Sequence, residues 1–250
     1  MGRWSRLLAA ELLRWLNMPV GLQWLDVCCG SGIVSLAIAE TSRPKSVVGV
    51  DLSPAQIEFA RQHRARENIR FEIADAMSLP FADSSFDVAV CGLGLNFIPD
   101  PVLALRELKR VLRPRGTIAA YVWDYADGAR FLREFWDAAI AIDQKAAELD
   151  QARRFTICTK DTLRLPFESA QLENITVHAL EIVTRFSNFD DYWSPLLTGQ
   201  GSAPAYLATC NETTKAAIRE HVRQKLLVHS EGAIELPARA WAVRAHLTSV

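Results

Sequence analysis

Two periods govern the apolar positions of this chain, and the switches between them predict strands alternating with helices. Residues 22–28 form a short apolar run that carries Asp26, and Gly30-Ser31-Gly32 opens a helix through Ile33, Leu36, Ala37 and Ala39. A second strand, Ser46–Val50, ends in Asp51. The next helix has a marked start: Ser53 as N-cap, Pro54 at the first helical position, and Gln56 at the spacing of a capping box. A third strand, Ile69–Ala74, ends in Asp75, and Asp83-Ser84-Ser85 turns the chain into a fourth, Phe86–Cys91. Asp100-Pro101 caps a helix through Val102, Leu105, Leu108 and Leu112. Arg113-Pro114-Arg115-Gly116 stops it, and a fifth strand follows at Thr117–Trp123.

Beyond Trp123 the pattern predicts a helix over Phe131–Leu149 and a strand over Ile175–Thr184, with residues 153–170 undecided. Pro195, Gly199, Gly201 and Pro204 mark a loop-rich segment, followed by a helix over Glu212–Val228 and a last strand near Ala238–Ala245. At the N-terminus, Trp4, Leu7, Leu8, Leu12, Trp15 and Leu16 recur at helical spacing with charges between them, so Met1–Leu16 reads as an amphipathic helix docked on the domain. This order predicts an α/β fold: a doubly wound, mostly parallel seven-stranded sheet with a helical elaboration between strands five and six. With no internal repeat or low-complexity linker, residues 1–250 read as one domain. Residues 1–20 are its N-terminal helix, 21–125 its core, and 126–250 the elaboration with the last strands.

Half of the residues are apolar and the net charge is −1, so nothing global draws the chain to nucleic acid. Basic runs at Arg61–Arg70 and Arg106–Arg115 have apolar residues interleaved and read as solvated helix faces. The five cysteines show no C-x-x-C spacing, and the histidines form no H-x-x-x-H pair. A disulfide framework and a metal site are therefore not expected, and a reducing, cytoplasmic setting is. No apolar run approaches the ~20 residues of a membrane span.

In an open parallel sheet, ligands bind outside the carboxyl ends of the strands. Asp26, Asp51 and Asp75 are predicted at three such ends, on consecutive strands beside a glycine turn, which predicts one shared ligand site. Asp51 stands some 20 residues past the glycines, where an acid reaches the ribose hydroxyls of a nucleoside. A dinucleotide fingerprint would require glycine or alanine at Ser35. A carboxylate at Asp26 would also oppose a pyrophosphate, whereas it suits the cationic sulfonium and ammonium of S-adenosylmethionine (SAM).

Leu25-Asp26-Val27-Cys28-Cys29-Gly30-Ser31-Gly32 resembles the first motif of class I SAM-dependent methyltransferases, and Asp51-Leu52-Ser53-Pro54 resembles their acidic second-strand motif. Three further stretches, 74–88, 97–101 and 112–116, resemble the type 11 branch that contains ubiquinone and menaquinone biosynthesis methyltransferases. The resemblance implies a Rossmann-like fold with SAM as cofactor. Gly30 and Gly32 would let the backbone approach its methionine part, Asp51 with Leu52 beside it would hold the ribose, and Asp75 with Ala76 and Met77 would read the adenine edge. Cys91 and Gly92 would line the path to the methyl group. Trp4 and Arg6 would fold over the cofactor, Arg6 toward its carboxylate. Cys28 stands where the family has its first glycine, so a side chain enters a turn that usually has none.

Methyl transfer needs alignment and exclusion of water more than a strong base, and no catalytic residue is assigned; Asp124, Tyr125 and His178 are the candidates within reach of a substrate. The N/D-P-P-Y/F type of motif found in many amine and amide methylators is missing at Cys91-Gly92-Leu93-Gly94. Aromatics in the elaboration (Phe131, Phe135, Trp136, Phe186, Phe189, Tyr192, Trp193, Tyr206) are mostly core material but also suit an apolar pocket. A small, largely apolar acceptor such as a quinol or phenol is therefore expected, with no nucleic acid partner, and a homodimer is left open. An RNA-modifying methyltransferase, a non-catalytic SAM-binding protein and an NAD(P)-dependent oxidoreductase are the alternatives.

Overall fold

A computed structural model describes residues 2–198, 201–227 and 232–248. In chain order the elements are α1 (Gly2–Leu16), β1 (Gln23–Val27), α2 (Ile33–Thr41), β2 (Ser46–Asp51), α3 (Pro54–Arg64), β3 (Ile69–Ile73), β4 (Phe86–Gly92), α4 (Pro101–Val111) and β5 (Leu112–Trp123). They continue as α5 (Arg130–Ile142), α6 (Gln151–Arg154), α7 (Leu165–Ser169), β6 (Glu173–Phe186), α8 (Phe189–Thr198), α9 (Ser202–Thr209), α10 (Glu212–Leu227) and β7 (Ile234–His246). The seven strands form one sheet in the order β3-β2-β1-β4-β5-β7-β6, and neighbours from β3 to β5 pair in parallel. The fold class expected from the alternation is the one observed. The helix expected over Glu212–Val228 is α10, and the elaboration is larger than expected because α8 and α9 replace the loop-rich segment before it.

The chain divides into two compact units: residues 1–122, 160–180 and 240–250, and residues 123–159 and 181–239. In the first, the central strands β1, β2 and β4 are buried almost throughout, as continuous apolar runs in a parallel sheet should be. α1 packs on α2, with Leu8, Ala9, Leu12 and Leu16 nearly solvent-free, while Arg3 and Arg6 stay outside. α4 begins as its sequence predicts, with the Asp100 carboxylate accepting the Leu103 N–H at 2.9 Å and Pro101 in the first turn.

Two expectations for this unit are corrected. The fifth strand starts at Leu112, not Thr117. Leu112 pairs with Phe86, the register then shifts, and Arg113–Gly116 is an irregularity within the strand rather than a stop before it. Arg113 secures that start by donating to Asp87 Oδ1 and Gln23 Oε1, each at 2.8 Å. Nor do the basic runs lie only on helix faces, since Arg70 is on β3 and Arg113 on β5. Arg70 pairs with Glu72, and Arg110 with Glu107 and Asp83.

The second unit carries more corrections. The helix expected over Phe131–Leu149 breaks at Asp143, whose side chain accepts the Lys145 N–H at 3.0 Å and restarts the chain as a 3-10 turn over Gln144–Glu148. Pro195 and Pro204, read as loop markers, lie inside α8 and in the first turn of α9. Burial of Phe189, Tyr192, Trp193 and Leu196 offsets the backbone bond that Pro195 forfeits. Gly199 and Val228 fall outside the described residues. Phe135, Trp136, Phe189, Tyr192, Trp193 and Tyr206 touch one another edge-on, tilted or stacked and form this unit's core.

Candidate active site

The carboxyl ends of β1, β2, β3 and β4 surround a cleft of about 290 Å³, lined among others by Cys28, Asp51, Leu52, Asp75, Ala76 and Gly94. Its shape begins with the turn after β1. Cys28, Gly30 and Gly32 all adopt positive φ (56°, 51° and 77°), which folds the backbone back sharply enough for α2 to start at Ile33. Gly32 has no room for a side chain, because a Cβ there would lie 2.7 Å from the Phe71 ring.

Asp51 organises this turn. Its Oδ2 accepts the Gly30 N–H and its Oδ1 accepts the Ser53 N–H, both at 2.9 Å. The second bond revises the expected capping box. Ser53 does accept the Gln56 N–H, at 3.4 Å, but the reciprocal half is supplied by Asp51 rather than by the Gln56 side chain. A carboxylate has about four acceptor directions, so Asp51 keeps capacity for two vicinal hydroxyls while holding the loop. Asp75 folds the chain after β3 in the same way, its Oδ1 accepting the Met77 N–H at 2.8 Å. That amide is therefore committed internally, and Asp75 and Ala76 face the cleft without it.

Other predicted residues stand elsewhere. Asp26 does not line the cleft: it is completely buried, and its Oδ2 accepts the Ser35 hydroxyl at 2.6 Å. Burial raises its pKa to about 7, against the opposing hydrogen bonds from the Ser35 side chain and backbone. Asp26 thus anchors the first turn of α2 from inside the sheet. Cys91 is buried behind the turn, hydrogen-bonded to Cys28, with its thiol pKa held well above the usual range. Gly92 is pressed against Val34 and the Tyr121 hydroxyl. The wall expected from Cys91 and Gly92 comes instead from Leu93, Gly94, Phe97, Ile98 and Pro99. Trp4 is buried on α1 with the Arg3 guanidinium 4.4 Å over its ring, and Arg6 lines a separate cleft beside Ser31. Asp124 is tied to Arg239, Tyr125 is buried, and His178 stacks on Trp15.

Sequence reasoning missed Asn96. Both polar atoms of its amide are out of solvent with no partner among the described residues, in the 3-10 turn Leu95–Phe97 that contributes Phe97 to the cleft wall. A polar residue between two apolar ones after β4 was the available signal.

The arrangement fits SAM. The carboxylates of Asp51 and Asp75 stand on one side, no cation among the described residues lines the cleft, and apolar groups cover the opposite side. The sheet order and this cleft define the class I methyltransferase architecture. A sequence family described as a methyltransferase domain matches residues 25–120. A demethylmenaquinone methyltransferase of Staphylococcus aureus is 33% identical over 181 residues, covering 68% of this chain and 75% of the relative. Among solved structures, YcgJ of Bacillus subtilis aligns with a TM-score of 0.62 at 19% identity over 97% of this chain and 99% of its own. Phosphoethanolamine N-methyltransferase 2 of Haemonchus contortus, solved with S-adenosyl-L-methionine, aligns at 0.59 and 16% identity over 96% of this chain and 52% of its own. The structural likenesses speak for the fold. The chain belongs to the methyltransferase family and is a SAM-dependent methyltransferase. The nicotinamide alternative falls with that result, in keeping with Ser35, which occupies the fingerprint's third position and is bound to Asp26.

Proposed function

We propose that the chain transfers the methyl group of SAM to a small, largely apolar acceptor of the quinol or phenol kind. The observation that carries this reading is the asymmetry of the cleft. Its β2–β3 side presents Asp51 and Asp75, while its β4 side presents Leu93, Phe97, Ile98 and Pro99 with no charged side chain. Phe97 is 63% exposed and Leu52 62%, so apolar surface is left for a ligand to cover. The relative named for demethylmenaquinone supports the same class of acceptor.

SAM, when bound, supplies a methyl group already activated by its sulfonium. In this reading Asp51 holds the ribose and keeps the glycine turn closed, Asp75 and Ala76 hold the adenine edge, and Leu52 and Phe97 exclude water. Asn96 is a positioning residue whose unpartnered amide orients a ligand polar group. Alignment of the acceptor supplies most of the rate. The same proposal places the protein in the cytoplasm, in keeping with its five free cysteines, and leaves nucleic acid out, because Arg70 of one basic run and Arg110 and Arg113 of the other are paired within the chain. Assembly as a homodimer is the remaining part of the proposal, to be read from sedimentation.

Calorimetric titration with SAM and S-adenosylhomocysteine, then a screen of quinols and phenols for methylated product, tests the reading. Asp51→Ala is expected to weaken adenosyl binding at least about tenfold, that is by about 1.4 kcal/mol. Asp51→Asn, which retains one acceptor for the turn, separates lost binding from lost folding. Tight adenosyl binding with no methylated quinol or phenol would remove the acceptor class and leave the cofactor.

A further inference from the structure

The first unit holds a pair of thiols that methyl transfer does not use. Cys28 is half-buried and lines the cleft at the strand ends, and Cys91 is a fully buried neighbour hydrogen-bonded to it. The sheet brings them together: Val27 on β1 and Cys91 on β4 are register partners, and Cys28 is the residue after Val27. Gly94 leaves room beside both. A Cβ built there would lie 3.1 Å from the Cys91 sulfur and 3.2 Å from the Cys28 sulfur, so the two sulfurs border one space that Gly94 leaves without a side chain. Sulfurs in hydrogen-bond contact need to close by only about 2 Å to reach the length of an S–S bond.

The two thiols differ in what reaches them. Cys28 meets whatever enters the cleft, whereas the hydrogen bond to Cys28 and then burial hold the Cys91 thiol well above its usual range, so Cys91 keeps its proton and waits behind. Cys29 is the competing neighbour, but it is buried and its thiol donates to the Gly30 carbonyl at 3.7 Å. An exposed thiol backed by a second one is the arrangement in which the first product of oxidation is captured as a disulfide.

We propose that Cys28 and Cys91 form an oxidative modification site that takes hydrogen peroxide through the empty cleft and closes to a reversible disulfide. The Cys28 sulfur attacks one peroxide oxygen, the O–O bond breaks, and a sulfenic acid and one water result. The Cys91 sulfur then displaces the hydroxyl from Cys28, its proton leaving with that oxygen as a second water. Two thiols are oxidised by two electrons and one peroxide is reduced to two waters; a low-mass thiol reverses the step by exchange. A nucleoside in the cleft covers Cys28 and shields the pair, so oxidation acts on the chain while it is without cofactor. That shielding rests on placing SAM in this cleft, whereas the disulfide itself is read in the unliganded chain.

The experiment treats the full chain, dilute and freshly reduced, with hydrogen peroxide and maps its tryptic peptides by mass. The peptide of Cys28 is expected joined to that of Cys91, and dithiothreitol should separate them. No Lys or Arg lies between Cys28 and Cys29, so variants assign the sulfur: the link should survive Cys29→Ala and vanish in Cys28→Gly and Cys91→Ala. Cys28→Gly puts glycine at a left-handed position it tolerates, and thermal melts report folding of the other two. S-adenosylhomocysteine at about 100 times its dissociation constant leaves about 1% of the cleft free and should slow the link at least about tenfold. A link within Cys28-Cys29, or sulfinic acid on Cys28 with no link to Cys91, overturns the proposal. So does an unchanged rate while calorimetry shows S-adenosylhomocysteine bound. Absence of that binding would strike the cofactor's placement instead, and the unliganded chain would still decide the disulfide.

Discussion

In the first unit the buried carboxylate Asp26 is held by the hydroxyl and amide of Ser35 and has no ion pair among the described residues, whereas in the second unit Asp124 receives two nitrogens of Arg239, at 2.7 and 2.8 Å. Asp124 follows β5 and Asp26 is the next-to-last residue of β1, and both are nearly solvent-free. Their tasks are local. Asp26 fixes the start of α2 under the glycine turn, and Asp124 ties the end of β5 to the chain at Arg239 and accepts the Asp127 N–H. The comparison teaches that position at a strand end does not by itself make an acid a ligand. Asp51 and Asp75 bond backbone at the rim and line the cleft, and Asp26 does not line it.

The largest expected effect breaks the comparison on the Asp26 side. Its pKa is near 3.8 in the unfolded chain and about 7 in the folded one, because burial disfavours the charged form. A raised folded pKa means the contribution is fully present below pH 4 and is lost as pH rises through 7. A shift of that size corresponds to about 4 kcal/mol across the window. Asp26→Asn should flatten the stability profile between pH 4 and 7 in urea unfolding, and equal or exceed the parent at pH 8. It should also keep SAM affinity within about threefold, since Asp26 does not line the cleft. A variant profile that retains the parent's slope would refute the titration, and a large loss of affinity would return Asp26 to the cofactor.

On the other side, Arg239→Met leaves Asp124 buried without its partner. Breaking such a pair costs about 3 kcal/mol, the low end of the range for buried pairs because Arg239 is itself about a third exposed. Arg113→Met removes a pair of similar length, Arg113 with Asp87, whose partners are both part-exposed. Its cost should stay near 1 kcal/mol. Chemical denaturation midpoints compare the two directly, and equal costs would mean that burial does not separate them.

The first unit was the more legible in the sequence for a physical reason. Its turns are set by local chemistry, such as Ser53-Pro54, Asp100-Pro101 and the glycines after β1, and its strands are continuous apolar runs. Burial cannot be read that way: Asp26 and Asp51 look alike as letters, and only the sheet puts one inside and the other at the rim. In the second unit, helices form around aromatic contacts distant in sequence, such as Phe135 with Trp193, which override the proline in α8. The break at Asp143 is a local cap in the middle of an apolar period, and the period concealed it.

An effect smaller than that at Asp26 sharpens the comparison at the turn that holds Cys28. Cys28 holds a left-handed backbone at φ 56°, a conformation that glycine adopts without strain. Its side chain fills the space over Gly94, where an added Cβ would lie 2.4 Å from the Cys28 Cβ and 3.1 Å from the Cys91 sulfur. Gly94 has ordinary backbone angles, so its lack of a side chain is a matter of room and not of conformation. The two positions therefore constrain each other: a side chain fits at 28 only because none stands at 94. Gly94→Ala should cost about 2 kcal/mol in the parent through overpacking. In a Cys28→Gly background the same change should cost less than half as much, because the obstructing Cβ is gone and the left-handed strain with it. A double-mutant cycle measures the coupling. Additive costs would show that Gly94 answers to Cys91 alone, and that the cysteine in the turn was accommodated without any concession from the segment after β4.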